Sequence, residues 1–401
     1  MTRKRTGARW GVFPASFASS AAAAIWEMEV DETENLLGLL LRYSLIDFNE
    51  TSTRYELHDL LAEFTRGQMV DEEEQETRIK HASHYKDVMS VANALYEEGG
   101  EKILQGLRLF DLEWEHIRSA HVWLAEHLET SKEIAGLAVP VDAPLDCLDL
   151  RLAPKQKIEW LNVALSASRK LGVKICLGGA LLGNLGIVFK NLGDARKAIQ
   201  LHEQAQVIHR EIGDRRGESR VLGNLGVAYA DLGEVRKAIE LYEQCLTLLN
   251  EIGDRRAEGS VLGNLGVAYA DLGEIRKAIE LYERQLVIVR EIGDRRGEST
   301  ALCNLGLAYY TLGDPHKAIK FYEQALVIDR EIGDRRGEGA TLGNLGTSHA
   351  TLGEIGEAIK SFEQQLSIAC EISDPFGRGG PYPGNLGVAT FNLKDKERGN
   401  F

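Results

Sequence analysis

Apolar residues recur along most of this chain at intervals of three and four, and the arrangement itself repeats. From Gly217 to Asp254 they fall at Val221, Leu222, Leu225, Ala228, Tyr229 and Leu232. Past Gly233 they resume at Ala238, Ile239, Leu241, Tyr242, Cys245, Leu246, Leu248, Leu249 and Ile252. That spacing is helical, not alternating. Gly233 stands where a helix C-terminal cap wants φ > 0, so the stretch predicts two helices joined by a tight turn. The second apolar stripe is wider than a surface helix needs, which predicts cover on two sides, as in a stack.

The pattern returns every 40 residues from Ala180 to Ser373. Gly-Asn-Leu-Gly marks Gly183–Gly186, Gly223–Gly226, Gly263–Gly266 and Gly343–Gly346, with Cys303–Gly306 in the same register. Gly-Asp-Arg-Arg closes units at Gly213, Gly253, Gly293 and Gly333. A fixed period in this range is the signature of a solenoid. Glycine inside a helix costs about 1 kcal/mol relative to alanine, so Gly226 needs a reason. It recurs with Ala238 (Gly266 with Ala278, Gly306 with Ala318, Gly346 with Ala358), and the pair predicts two small residues facing each other across closely packed helices.

Leu225, Gly226, Tyr229, Ala238 and Tyr242 carry a resemblance to tetratricopeptide repeats, of the long 40-residue subclass of the Pins/LGN type. Cys245, Gln285 and Gln365 stand where that family prefers alanine. The resemblance implies an all-α fold, a tetratricopeptide α-solenoid wound as a right-handed superhelix, over residues 151–401. It is expected to hold about five full repeats with partial ends. Beyond Ser373 the repeat decays, and Gly384-Asn385-Leu386-Gly387 opens half a unit whose apolar helix would be the weakest part of the array.

Upstream the period changes. Ala18–Met28 and Thr33–Tyr43 read as helices. Leu45–Phe48 and Arg54–Leu57 flank the polar stretch Asn49–Thr53 as a hairpin. Helices followed by a two-stranded wing predict a winged-helix domain over residues 10–75. Trp10–Phe17 and Tyr55–Leu60 resemble the opening and closing segments of the winged helix in the STAND (NB-ARC) signalling ATPases. That resemblance makes His58 and Asp59 candidate remnants of a nucleotide sensor, the histidine touching the phosphate of ADP. The competing reading has Asp59 capping the next helix and His58 bonding locally. Residues 76–150 resemble the family's helical linker, with amphipathic helices at Arg78–Glu97 and Asp111–Leu128 and a broken connector over Gly136–Pro154. No Gly-x-x-x-x-Gly-Lys-Ser/Thr phosphate loop occurs in the chain. The expectation is a C-terminal part of such a regulator, expressed alone or split from its ATPase, with no cofactor of its own.

The net charge of −14 argues against nucleic acid or an anionic membrane as the main partner, since both reward a basic surface. Five scattered cysteines fit a reduced, cytoplasmic setting. No apolar run approaches a membrane span, and the basic start has no apolar core after it. Catalysis has no motif behind it. His81, His84, His116, His121 and His127 lack a set of four at ligand spacing and are expected to be solvated helix histidines rather than a metal site.

The strongest candidate chemistry is a column of asparagines. Asn184, Asn224, Asn264, Asn304, Asn344 and Asn385 precede the packed leucine of each first helix, on the face that lines the concave groove of the resembled family. Each amide offers two donors and an acceptor, suited to an extended peptide backbone. Arg220, Val227 and Asp231 flank Asn224 on that face. The alternative is that each asparagine bonds a neighbouring helix and sets repeat geometry. The Arg pairs Arg215/Arg216, Arg255/Arg256, Arg295/Arg296 and Arg335/Arg336 are expected in solvated turns with Asp214-type and Glu218-type counter-charges. The expected partner is a protein or peptide, with a separate STAND ATPase polypeptide as a second candidate.

Overall fold

A computed structural model of the chain describes residues 9–66, 71–139, 146–172 and 175–373. Asn385, the closing half-repeat, and Pro140 and Pro144 of the expected connector lie outside the described residues. The chain divides into two compact units, Met1–Leu192 and Gly193–Phe401.

In the first unit, helices α1 (Ser19–Trp26) and α2 (Val30–Arg42) lead into an antiparallel hairpin of β1 (Ile46–Asn49) and β2 (Arg54–Leu57). Ile46 pairs with Leu57 and Asn49 with Arg54. Asn49 shapes the turn by accepting from Thr51 N and Ser52 N, both at 3.0 Å. A third extended segment joins β2, since Phe17 and Tyr55 exchange backbone hydrogen bonds at 2.8 Å. Helix α3 (Asp59–Arg66) follows. Two long helices, α4 (Asp71–Glu98) and α5 (Glu101–Glu126), then pack as a hairpin. Gly106 is needed there, because a Cβ would stand 2.4 Å from the carbonyl oxygen of Ala92. The acidic run Asp71–Glu74 forms the first turn of α4, where carboxylates suit the helix dipole. Helices α6 (Lys132–Ala138), α7 (Asp146–Arg151), α8 (Pro154–Leu171) and α9 (Ile175–Asn191) complete the unit.

The histidines depart from expectation. His81 and His116 are buried, not solvated, and His121 stacks on Trp160 with centroids 3.6 Å apart. His116 Nε2 lies 2.9 Å from the Ser16 carbonyl, so it donates there, and its Nδ1 is left to accept from His81 Nε2 at 3.4 Å. Tyr85 stacks on His116 at 4.5 Å. Beside them Arg54, 4% exposed, donates to both carboxylate oxygens of buried Glu113 and to Ser16. These ring and charge contacts tie β2 and the Ser16 segment to α4 and α5.

The second unit is the repeat. Its helices are α10 (Ala195–Glu211), α11 (Arg215–Asp231), α12 (Val235–Ile252), α13 (Arg255–Asp271), α14 (Ile275–Glu291), α15 (Arg295–Thr311), α16 (Pro315–Ile332), α17 (Arg335–Leu352) and α18 (Ile355–Ser373). Each packs on the next, and the odd-numbered ones, the first helices of successive units, also touch one another, as the second helices do not to the same degree. The first helices therefore lie on the inner side of the curve. Gly233, Gly273 and Gly313 turn each first helix into its second at φ near +80°, a region glycine enters freely.

The nearest neighbour of the glycine inside the first helix is a ring the spacing did not name. A Cβ at Gly226 would stand 2.4 Å from Cε1 of Tyr242, and the same ring position recurs for Gly266 with Tyr282, Gly306 with Tyr322 and Gly346 with Phe362. The small residue makes room for an aromatic ring, one helical turn beyond the expected Ala238.

The Gly-Asp-Arg-Arg turns are more than solvated loops. The aspartate caps the next helix: Asp214, Asp294 and Asp334 accept from Gly217, Gly297 and Gly337 N at 2.9, 3.0 and 2.9 Å. The first arginine holds the buried glutamate of its own helix and reaches the end of the second helix of the same unit. Arg255 binds Glu258 at 2.7 Å and Glu291 at 2.6 Å, and Arg295 does the same with Glu298 and Glu331. Arg210, Arg290 and Arg330 close on the equivalent glutamates from the preceding helix, at 2.6, 2.8 and 2.7 Å.

Candidate functional site

The inner helices set the asparagines at equal intervals. Leu225, Leu265, Leu305 and Leu345 are buried against the second helices, which turns the preceding residue toward the open side. Asn264 is exposed, and Asn224, Asn304 and Asn344 are half-buried. Among the described residues, none of these four side-chain amides has a hydrogen-bond partner, so none is spent on setting repeat geometry. One turn further along, Val227, Val267 and Leu307 form a parallel apolar column, the last two 44% and 51% exposed.

Between α11 and α13 this face opens into a groove of about 580 Å³. Arg220, Asn224 and Val227 line one wall, and Ser260, Val261 and Asn264 the other. Cys245 and Leu249 of α12 also line it. Burial pushes the Cys245 thiol up to about 12, and its Sγ donates to Ser219 O at 3.0 Å, so it offers shape and not nucleophilicity. Asp214 and Asp254 stand at the rim. Burial pushes the Asp214 carboxyl upward, but the Gly217 N–H and His209 outweigh it and hold the group below its usual range.

The residues at the Cys245 position explain departures from the repeat pattern. Where the second helix carries glutamine, the first carries glycine: a Cβ at Gly263 would meet Gln285 Nε2 at 2.7 Å, and one at Gly343 would meet Gln365 Nε2 at 2.6 Å, so the amide would have to move aside. Cys303 is matched in its own repeat by the small Ala325. Large on one helix is answered by small on the other.

The remaining sequence candidates are placed apart from the groove. Asp231 is an exposed residue at the end of α11, outside the groove lining. Asn184 belongs to the first unit, where with Leu148, Trp160 and Ile187 it lines a small pocket of about 50 Å³. His58 precedes α3; its carbonyl accepts from Leu61 N at 2.8 Å and Ala62 N at 3.0 Å, and its ring lies 3.7 Å from Asp47. Asp59 is the first residue of α3. Among the described residues no group of three His, Cys, Asp or Glu could hold a metal, and no helix is long and apolar enough to cross a membrane. Ser219 and Ser260 in the groove lining were missed by sequence reasoning; Ser219 adjoins Arg220 and Ser260 lies one helical turn before Asn264, and only the spacing of α11 and α13 brings them together.

Residues 179–251 and 258–331 match the family model described as Tetratricopeptide repeat, and residues 340–369 match a second model of the same description. The repeats are tetratricopeptide repeats and the array is a tetratricopeptide α-solenoid, the fold of proteins that act as interaction scaffolds. Two solved structures are similar. BtubC (BKLC) from P. vanneervenii is 20% identical, over 58% of this chain and 97% of that one, with a TM-score of 0.51. A Signal Transduction ATPase with Numerous Domains (STAND) protein with a tetratricopeptide repeat sensor, PH0952 from Pyrococcus horikoshii, is 17% identical over 99% of this chain, also at 0.51. This chain spans 61% of that protein's length. No curated protein matches closely enough to count as a relative.

Proposed function

We propose that the chain is a non-enzymatic protein-interaction module whose inner groove receives an extended peptide segment of a protein partner. The observation that carries this reading is the row of uncommitted amides at Asn224, Asn264, Asn304 and Asn344 beside an apolar column. A backbone laid along the groove presents a donor or acceptor to each amide, while its side chains meet Val227, Val267 and Leu307. Changing Asn224, Asn264 and Asn304 together to alanine tests it, using a peptide selected on the intact chain. Each lost hydrogen bond contributes about 0.5–1.5 kcal/mol, so affinity is expected to fall by roughly one to three decades. The melting temperature should hold, because these amides support no neighbouring helix. Unaltered affinity removes the asparagine column as the recognition site.

A second reading is supported by the similarity to the STAND protein, which spans nearly all of this chain and not the repeats alone. In it, residues 10–75 form a winged helix, residues 76–150 a linker and residues 151–401 a sensor, working in the cytoplasm with an ATPase on another stretch of polypeptide. His58 and Asp59 then complete a nucleotide site only with that ATPase. An open reading frame with a phosphate loop, upstream or adjacent, favours this reading. Micromolar ADP binding by the isolated chain that disappears in His58→Ala contradicts it.

A further inference from the structure

The groove between α11 and α13 carries one charge that its neighbours lack. The position of Arg220 is Ser260, Thr300 and Ala340 in the following units, although the flanking residues are near copies. The other charges at the groove are already engaged. Asp214 uses Oδ1 for Gly217 N at 2.9 Å and Oδ2 for His209 Nδ1 at 2.8 Å. Asp254 uses Oδ1 for Ala257 N at 3.1 Å, and its Oδ2 faces Arg216 at 3.8 Å. Arg220 is exposed and, among the described residues, forms no hydrogen bond and no ion pair within 4.0 Å; its charge is felt by Asp214 at the rim, whose oxygens are taken by the contacts just given. It sits one helical turn from Asn224, on the same wall.

We propose that Arg220 selects an acidic side chain, aspartate or glutamate, within the extended segment that the groove receives. This rests on the groove reading above and names the chemistry of its ligand. A guanidinium offers a planar fork of donors that matches a carboxylate, and a neighbouring amide can hold the backbone of the same residue. The preference arises locally, because a chain of net charge −14 repels acidic peptides in bulk.

The probe is an array of synthetic decapeptides, C-terminally amidated, with each position fixed in turn as Asp, Lys or Ala and the others randomised. The full chain is expected to bind Asp-fixed peptides over Lys-fixed ones by roughly tenfold or more. Arg220→Glu should reverse that preference, while Arg336→Glu, an exposed arginine away from this groove, should leave it. Circular dichroism confirms that each variant is folded. No acidic preference, a preference untouched by Arg220→Glu, or binding only to peptides with a free C-terminal carboxylate overturns the inference. If Asn224→Ala with Asn264→Ala abolishes binding in those cases, the groove stands and the role of Arg220 falls. If that double variant binds as before, or no peptide binds at all, the groove reading fails with it.

Discussion

In the repeat array a buried glutamate such as Glu298 is held by two half-exposed arginines, Arg290 and Arg295, and the arrangement recurs at Glu218 and Glu338. In the first unit a single buried glutamate, Glu113, meets a single buried arginine, Arg54. The array therefore shares its polar load among copies, and water screens the arginine side of each pair. Arg54 and Glu113 have no copies and no water to fall back on. A buried pair of this kind contributes little net stability over a well-packed apolar pair, but breaking it leaves a desolvated charge.

The largest expected effect follows directly. Arg54→Ala should destabilise the first unit by about 3–5 kcal/mol, because Glu113 is left buried and unpaired. All five tryptophans (Trp10, Trp26, Trp114, Trp123 and Trp160) lie in that unit, so a urea titration followed by tryptophan emission reads it selectively. Arg54→Met with Glu113→Leu should recover most of the loss. A single variant that unfolds at the wild-type midpoint would show that Glu113 is not truly isolated from solvent.

The array is vulnerable to shape, not to loss of one charge. Gly226→Leu forces a side chain into the ring of Tyr242, where even a Cβ stands 2.4 Å from Cε1. Overpacking of this kind costs about 1–3 kcal/mol. Thermal unfolding followed by far-ultraviolet circular dichroism should show it, and an unchanged curve would mean that the ring swings aside freely.

The two units are also unequally legible. A 40-residue unit written repeatedly exposes its own helices, turns and inner face, so the solenoid and the asparagine column can be read from the amino-acid order alone. What one unit does to the next is hidden there: Arg296 reaches Asp334, the cap of the next unit's first helix, 38 residues on, and no window on one repeat shows it. Gly226 declares itself a packing residue, but the ring it makes room for does not, since nothing in the spacing orients Tyr242. In the first unit the hairpin is legible from its polar turn. The cluster beneath it is not, because Arg54 and Glu113 are 59 residues apart and His81 and His116 are 35 apart. Each sits among charged neighbours, where composition alone reads as solvated surface.

The smallest effect tests that buried cluster by pH. Burial, and then the charge of His116, holds His81 well below its ordinary range, and burial also lowers His116 despite the Ser16 carbonyl. Arg78, Arg54, Glu113 and His84 complete the charges facing the pair. In the unfolded chain both histidines take up protons near pH 6.5. Between that value and their folded positions the unfolded state binds more protons than the folded one, so stability rises with pH and is lost as pH falls. Going from pH 6.5 to 5.5, each histidine should cost the first unit at most about 1 kcal/mol, the full amount where the folded group stays neutral throughout. Urea midpoints from tryptophan emission at pH 7.5, 6.5 and 5.5 measure the slope. His81→Gln removes one titrating group and should flatten the slope in part, the remainder resting on His116, His84 and His121, which burial also lowers, even if the variant starts from a lower midpoint. A slope that persists in full would place the proton uptake elsewhere and leave the histidines as packing groups only.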